Sequence, residues 1–244
     1  MQRIFIDEEQ ITEQTIKVTG EDAHHLRDVL RMRAGETVLA CAQGAWEYTC
    51  EITELSKEAV VLRITDAQRP GKELPSKITL LQCLPKGDKM ETVIQKAVEL
   101  GATESVPGSS RRCVVRLDEK KAAAKVARWN AIAKAAAEQA KRMVIPTVRE
   151  VVSFSDALSL TAPVLLMPYE NETDITRTRR ILQAITPGQE VTVLIGPEGG
   201  FAPEEAEAAV AAGFQTISLG KRILRTETAG MAALAVLAFL LEET

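Results

Sequence analysis

The chain of 244 residues lacks the features that mark several large classes of protein. Its longest uncharged apolar run, residues 229–241, is shorter than the roughly 20 residues that a membrane-spanning helix needs. The first apolar stretch, residues 4–6, is followed directly by three acidic residues, so a secretory signal peptide is not expected. The four cysteines form no CxxC pair and have no histidine near them, which argues against a zinc site and predicts reduced thiols in a cytoplasmic protein.

The chain also lacks an overall positive charge, since its formal net charge is −4. Taken alone, this weakens a nucleic-acid-binding interpretation, but polyanion binding depends on a local patch rather than on global charge. Residues 71–150 hold 16 basic and 9 acidic residues, whereas the segments on either side are acidic. The cations between residues 120 and 134 also fit the solvated face of a helix, so both interpretations stay open for them.

Hydrophobic patterning divides the chain near residue 70. Residues 1–70 contain short β-type segments and one helical segment at 21–31, as expected of a small β-rich domain. The β-type segments are residues 15–18, 37–42, 46–55 and 59–66. Residues 68–72, which include Pro70 and Gly71, are the candidate linker.

Residues 71–244 alternate between strand and helix patterns, which predicts an α/β domain with a mainly parallel sheet. The predicted strands are residues 78–84, 164–167, 191–195 and 216–219. The predicted helices are residues 90–100, 128–141, 175–185, 203–212 and 226–241. Ligands bind at the carboxyl ends of such strands, so the loops 168–170, 196–201 and 220–228 are expected on one rim.

The loop at 196–201 carries three glycines, which allow close approach of the backbone to a ligand. It has neither the Lys-Ser/Thr ending of a P-loop nor the spacing of a GxGxxG turn, and a purely structural turn is an alternative. The loop at 220–228 places three cations before an apolar helix. Helix capping would account for Thr226 and Glu227, but Arg225 is a cation at the positive end of a helix and points to function.

Two motifs carry a family resemblance: LIGPEGGF at residues 194–201 and LGKRILRTETA at residues 219–229. Together they resemble the RsmE family of SPOUT methyltransferases, which methylate N3 of uridine 1498 in 16S ribosomal RNA. Further matching positions bring the resemblance to nearly the whole chain, from about residue 3 to residue 237. They are His25, Leu26, Val29, Leu30, Arg31, Lys89, Met90, Glu91, Trp129, Glu138, Gln139 and Arg142.

The resemblance implies an α/β fold of two domains. Residues 71–244 would form a SPOUT domain with a deep trefoil knot in its parallel sheet, and residues 1–70 a small PUA-like β-barrel that helps to hold RNA. It also implies S-adenosylmethionine as cofactor, a homodimer whose partner chain completes the active site, and 16S RNA of the small ribosomal subunit as substrate. The sulfonium of the cofactor is already activated, so no metal is needed.

The matching positions supply candidate site residues. The expected cofactor contacts are Leu166, Met167, Pro168, Ile195, Gly196, Pro197, Glu198, Gly199, Leu219, Gly220, Ile223, Leu224, Thr226, Thr228 and Ala229. The expected RNA contacts are Arg3, Arg27, Arg31, Lys89, Arg142 and Arg222. The expected catalytic residues are Arg225, Glu138 and Glu198.

The chemistry suggests roles for these residues. N3 lies on the pairing edge of uracil, so the uridine must be unpaired or flipped out, and its proton must leave. Arg225 would bind a phosphate or stabilise a uracil oxygen, and Glu138 or Glu198 would accept the proton or orient the substrate.

Local alternatives remain for the arginines and for His25. Arg142 could simply pair with Glu138 one turn away. Arg27 and Arg31 could be solvated arginines on one helix face, with Arg31 pairing with Asp28. His25 lies among apolar helix residues and fits a structural role better than that of a base.

Two other functions fit the same residues. One is an α/β enzyme that binds a nucleotide or a phosphorylated metabolite through residues 196–200. The other is a ribosome assembly factor that binds RNA without modifying it.

Overall fold

The computed structural model describes residues 1–44 and 46–242, and it contains two compact units. The first unit comprises Met1–Glu73 together with Ala137–Ile145. The second comprises residues 74–136 and the described residues from 146 onward. No sequence pattern marks residues 137–145 as part of the N-terminal unit.

Five strands form the sheet of the first unit: β1 (Gln2–Ile6), β2 (Thr15–Thr19), β3 (Thr37–Ala42), β4 (Glu47–Leu55) and β5 (Ala59–Gln68). They lie in the order β1-β3-β4-β5-β2, with only β1 and β3 parallel. Apolar residues of the strands, such as Ile16, Val38 and Leu62, form a buried core with Leu26. The predicted β-rich character is confirmed, although β1 was not among the predicted strands.

The helical segment of the first unit ends earlier than predicted. Helix α1 covers Gly20–His24, and a π-helical turn covers His25–Val29. Arg31 lies beyond this turn with a φ of 53°, so Arg27 and Arg31 do not share a helix face as predicted. Arg27, rather than Arg31, bonds to Asp28, with its Nε 3.0 Å from Oδ1.

Seven strands form the sheet of the second unit: β6 (Ile78–Cys83), β7 (Glu104–Ser109), β8 (Thr147–Val148), β9 (Val152–Ser153), β10 (Val164–Pro168), β11 (Val191–Ile195) and β12 (Gln215–Ile217). They lie in the order β12-β10-β11-β6-β7-β8, with β9 beside β7, and they pair in parallel. All five residues of β11 are buried, as expected of a central strand in a parallel sheet.

The helices that follow residue 74 are α2 (Lys89–Glu99), α3 (Glu119–Gln139), α4 (Phe154–Leu158), α5 (Ile175–Gln183), α6 (Pro203–Ala211) and α7 (Thr226–Leu241). Helix α6 begins with Pro203, whose fixed φ suits the first helical position. The alternation of strands and helices confirms the predicted α/β domain with a parallel sheet.

The largest differences from the predicted elements are β7 and α3. Strand β7 contains Pro107 and Gly108, which usually interrupt strands, so no strand was predicted there. Helix α3 begins at Glu119 rather than at residue 128, because the alanine-rich segment before residue 128 continues the helix.

Three further features bear on the class of protein. Within residues 1–44 and 46–242, no helix combines the length and the apolar character needed to cross a membrane. The same residues contain no group of three or more His, Cys, Asp or Glu side chains that could hold a metal ion. All four cysteines are buried free thiols.

Arg3 and Arg142, both predicted to contact RNA, are buried in ion pairs within the first unit. The Arg3 guanidinium pairs with Glu47, and these side chains are only 3% and 2% exposed. The Arg142 side chain is 6% exposed and donates to the Glu73 carboxylate at 2.6 Å. Buried charges require such partners, so both arginines are engaged in ion pairs in this structure, and their direct contact with RNA stays a prediction.

Replacing Arg3 by methionine should lower the free energy of unfolding by about 3 kcal/mol, because it leaves the Glu47 carboxylate buried without its closest partner. Urea unfolding followed by circular dichroism measures the change. The matched control is Arg63→Met, which removes an ion pair with Glu51 whose side chains are 56% and 37% exposed, and should change the free energy by less than about 1 kcal/mol. Equal effects of the two variants would contradict the structural role of Arg3.

Candidate active site

The three loops predicted to share a rim line a single cleft at the carboxyl ends of β10, β11 and β12. The cleft has a volume of about 900 Å³, and its lining comes from the segments 168–175, 195–201 and 218–229. Parallel strands end on the same edge of a sheet, so loops that are distant in sequence meet there.

Most of the predicted cofactor contacts line this cleft. They are Pro168, Ile195, Gly196, Pro197, Glu198, Gly199, Leu219, Gly220, Ile223, Leu224, Thr226 and Ala229. Leu166 and Met167 are instead fully buried within β10, and Thr228 is exposed on α7 without lining the cleft. Sequence reasoning missed Glu172, Thr173 and Ile175, because the loop after β10 is longer than the predicted segment 168–170.

The glycines of the loop at residues 196–201 expose backbone groups to the cleft. A Cβ atom on Gly196 would lie 3.2 Å from the Phe201 ring. A Cβ atom on Gly200 would lie 2.5 Å from Glu170 Oε1, and Gly200 also has a φ of 65°. The positive φ of Gly200 and the tight approach of the Phe201 ring to Gly196 therefore favour glycine at both positions, where backbone can come close to a ligand.

Thr226 joins the middle loop, residues 196–201, to the third loop, residues 220–228. Its Oγ1 donates to the Gly196 carbonyl oxygen at 2.6 Å, and the residue is 5% exposed. The N-cap of α7 is Arg225, whose side chain makes no capping hydrogen bond. The predicted capping role of Thr226 is therefore wrong, because its hydroxyl group is used between the two loops.

Lys89, predicted to contact RNA, lies between two carboxylates of the same loops. Its Nζ is 3.2 Å from Glu198 Oε1 and 3.2 Å from Glu227 Oε2. Burial opposes the ionisation of Glu198, but the amide of Lys86, its own amide and the Lys89 ammonium together hold the pKa of Glu198 below its usual value. Glu198 is therefore a stable anion and a weak base.

Three cations of the third loop line the cleft: Lys221, Arg222 and Arg225. All three are exposed, and none forms an ion pair with another described residue. Free guanidinium groups suit phosphate binding or stabilisation of an oxygen anion. Glu138, the other predicted catalytic residue, belongs to the first unit and does not line the cleft.

Comparison with known proteins finds two family domains in the chain. An RNA methyltransferase domain model matches residues 72–238, and an RNA methyltransferase PUA domain model matches residues 18–65. Ribosomal RNA small subunit methyltransferase E of Bacillus subtilis (strain 168) is 38% identical, and the match covers 98% of this chain and 96% of that protein. The chain belongs to the ribosomal RNA small subunit methyltransferase E family.

Two solved structures extend the comparison to the fold. A small subunit methyltransferase E from Neisseria gonorrhoeae, bound to S-adenosylmethionine, is 35% identical with a TM-score of 0.86 over 98% of both chains. A methyltransferase from Legionella pneumophila in complex with the same cofactor is also 35% identical, with a TM-score of 0.86 over 96% of both chains. The predicted family and the predicted SPOUT and PUA-like fold class are confirmed.

Replacing Glu198 by glutamine should weaken the acid dependence of stability. A carboxylate whose pKa is lowered by folding stabilises the protein above its ordinary pKa, and this contribution is lost as the pH falls through the lower folded value. The melting temperature of the unaltered methyltransferase should therefore fall more steeply below about pH 4.5 than that of Glu198→Gln.

The matched control for this experiment is Glu190→Gln. Glu190 pairs with Lys77 in the same unit, but the two side chains are 52% and 75% exposed. This variant should keep the acid dependence of the unaltered protein. Identical curves for Glu198→Gln and the unaltered protein would contradict the environment described for Glu198.

Proposed function

We propose that this methyltransferase transfers a methyl group from S-adenosylmethionine to N3 of uridine 1498 in 16S ribosomal RNA of the small subunit. The observation that carries the proposal is a glycine-lined cleft at three strand ends, whose lining includes three exposed cations of the third loop that form no ion pair with a described residue. Membership of the family and the cofactor-bound relatives support the choice of reaction and methyl donor.

The residues of the cleft fit S-adenosylmethionine. A volume of about 900 Å³ lies within the usual range of roughly 300–1,000 Å³ for small-molecule sites. The glycine loop offers backbone groups, and the carboxylate of Glu170 lines the cleft and complements a positively charged ligand. When bound, the cofactor supplies an activated methyl group.

The residues of the chain then have to hold the acceptor and manage one proton. Arg225 stabilises the negative charge that develops on a uracil oxygen as the N3 proton leaves, or binds the adjacent phosphate. Arg222 contributes a second exposed cation for the RNA backbone. The lowered pKa of Glu198 favours an orienting role over proton acceptance. Glu138 remains the other proposed proton acceptor.

The proposal includes a homodimer. Helix α7 exposes Val236, Phe239 and Leu240, which are 41%, 85% and 38% exposed. A contiguous apolar face of this kind on one helix fits burial against a second copy of the chain. In the dimer, the partner chain would complete the active site.

The remaining expectations from the family resemblance form part of the same proposal. The first unit would help to hold RNA, with Arg31 exposed and available and Arg27 already bonded to Asp28. The parallel-sheet unit would contain the trefoil knot. A protein that modifies ribosomal RNA would act in the cytoplasm, in agreement with its free thiols.

The decisive experiment incubates the protein with S-adenosylmethionine and unmodified small ribosomal subunits, then detects 3-methyluridine by mass spectrometry. We expect the product with the unaltered protein and a roughly 100-fold lower rate with Arg225→Ala, because the developing charge loses its stabilising cation. The control Arg179→Ala removes an exposed arginine of α5 that does not line the cleft, and its rate should stay within about twofold.

Three outcomes would overturn the proposal in different ways. Cofactor binding without 3-methyluridine would keep a methyltransferase but move its target. RNA binding without any modification would favour the assembly factor. If the protein binds neither the cofactor nor RNA, the result would favour a phosphate-binding enzyme that uses residues 196–200.

Replacing Phe239 by aspartate should convert a dimer to a monomer, because a charge would be buried in the proposed interface. Analytical ultracentrifugation at micromolar concentration measures the mass. The control Val210→Asp places the same charge at a 51% exposed position of α6 and should leave the dimer intact. A monomeric unaltered protein would contradict this part of the proposal.

A further inference from the structure

A buried glutamine side chain connects the parallel sheet to two loops of the cleft. Gln82 lies on β6 and is 0% exposed. Its Nε2 donates to Thr226 Oγ1 at 2.8 Å and to the Cys83 carbonyl oxygen at 2.9 Å. Thr226 Oγ1 donates in turn to the Gly196 carbonyl oxygen at 2.6 Å. The three groups form a chain of hydrogen bonds from β6 to the third loop and then to the middle loop.

The direction of each of these hydrogen bonds is fixed by chemistry. The carbonyl oxygens of Cys83 and Gly196 can only accept. Gln82 must therefore present its NH₂ group to Cys83 and Thr226, because a flipped amide would place two acceptors against each other. Thr226 must use its single proton on Gly196. The Gly196 carbonyl group is thus held in one orientation at the end of β11.

The other half of the Gln82 amide has no hydrogen-bond partner in the described part of the chain. Its Oε1 is buried and makes no hydrogen bond within the described residues. Burial of an unsatisfied amide oxygen destabilises a fold, so an apolar side chain of similar shape would suit the core better. Stability therefore does not explain why residue 82 is a glutamine. What this side chain provides is the two hydrogen bonds that it donates.

We propose that Gln82 is a positioning residue that holds the middle and third loops in the geometry that binds S-adenosylmethionine. Gln82 is not among the residues that line the cleft, so it acts through Thr226. Without this anchor, ligand binding has to order the backbone around Gly196 and the start of α7, which weakens affinity. The inference rests on the proposed function, although the hydrogen-bond chain belongs to the free protein.

Calorimetric titration with S-adenosylmethionine tests the proposal directly. We expect Gln82→Met and Thr226→Val each to weaken affinity about tenfold, the usual effect of losing one such hydrogen bond. Thr226→Ser keeps the hydroxyl group and should bind within about twofold of the unaltered protein. The control Thr192→Val alters another buried threonine, 4% exposed near the start of β11, and should leave affinity unchanged.

Two further measurements separate positioning from a general structural role. In urea, Gln82→Met should unfold at a midpoint close to that of the unaltered protein, because removal of the unsatisfied oxygen offsets the loss of the two donated hydrogen bonds. In the free protein, amide hydrogen exchange should speed up at residues 196–200 and 219–226 but not in the strands. The double variant Gln82→Met/Thr226→Val should bind no more weakly than either single variant, because both break the same chain.

Unchanged affinity in Thr226→Val, or losses that multiply in the double variant, would overturn the proposal. A parallel loss of stability and affinity in Gln82→Met would also overturn it. If the unaltered protein fails to bind S-adenosylmethionine, the proposed function is wrong. In that case, hydrogen exchange in the free protein still decides whether Gln82 anchors the two loops.

Discussion

The hydrogen bond from Thr226 Oγ1 to the Gly196 carbonyl oxygen joins two loops that are far apart in the sequence. Backbone groups of the glycine loop can contact a ligand only in the geometry in which the loop is held, so links that fix the loop also fix the cleft. Lys89 makes a second connection between the same loops through Glu198 and Glu227. The shape of the cleft depends on these two links between the end of β11 and the start of α7.

The basic side chains of the chain have three different roles, and the burial of each side chain determines its role. Arg3 and Arg142 are buried with carboxylates and serve the packing of the first unit. Lys89 is partly buried between two carboxylates and holds loops together. Arg225 and Arg222 are exposed and form no ion pair within residues 1–44 and 46–242, so their charge is available to a phosphate or an oxygen anion. The residue type alone does not distinguish these roles.

Sequence reasoning worked best where a local pattern has one physical meaning. The bounds of β11 and α7 were predicted correctly because apolar runs bounded by glycine or by capping-type residues leave few alternatives. It failed for β7, where Pro107 and Gly108 both pair with β6 and Gly108 also pairs with β9. Gln82 was overlooked, although a single amide within an apolar strand is a signal that could have been noticed.

The sequence by itself determined the α/β class, the three loops at the strand ends and the family, because these depend on periodicity and on motifs that are contiguous in the chain. Only the tertiary structure decided which charged residues are buried, which residues line the cleft, and that residues 137–145 join the N-terminal unit. The hydroxyl group of Thr226 illustrates the difference. At the start of a helix, the sequence predicts a cap, but the nearby Gly196 carbonyl and the Gln82 amide offer partners that come close only when the sheet has formed. Long-range contacts of this kind set the geometry of the site.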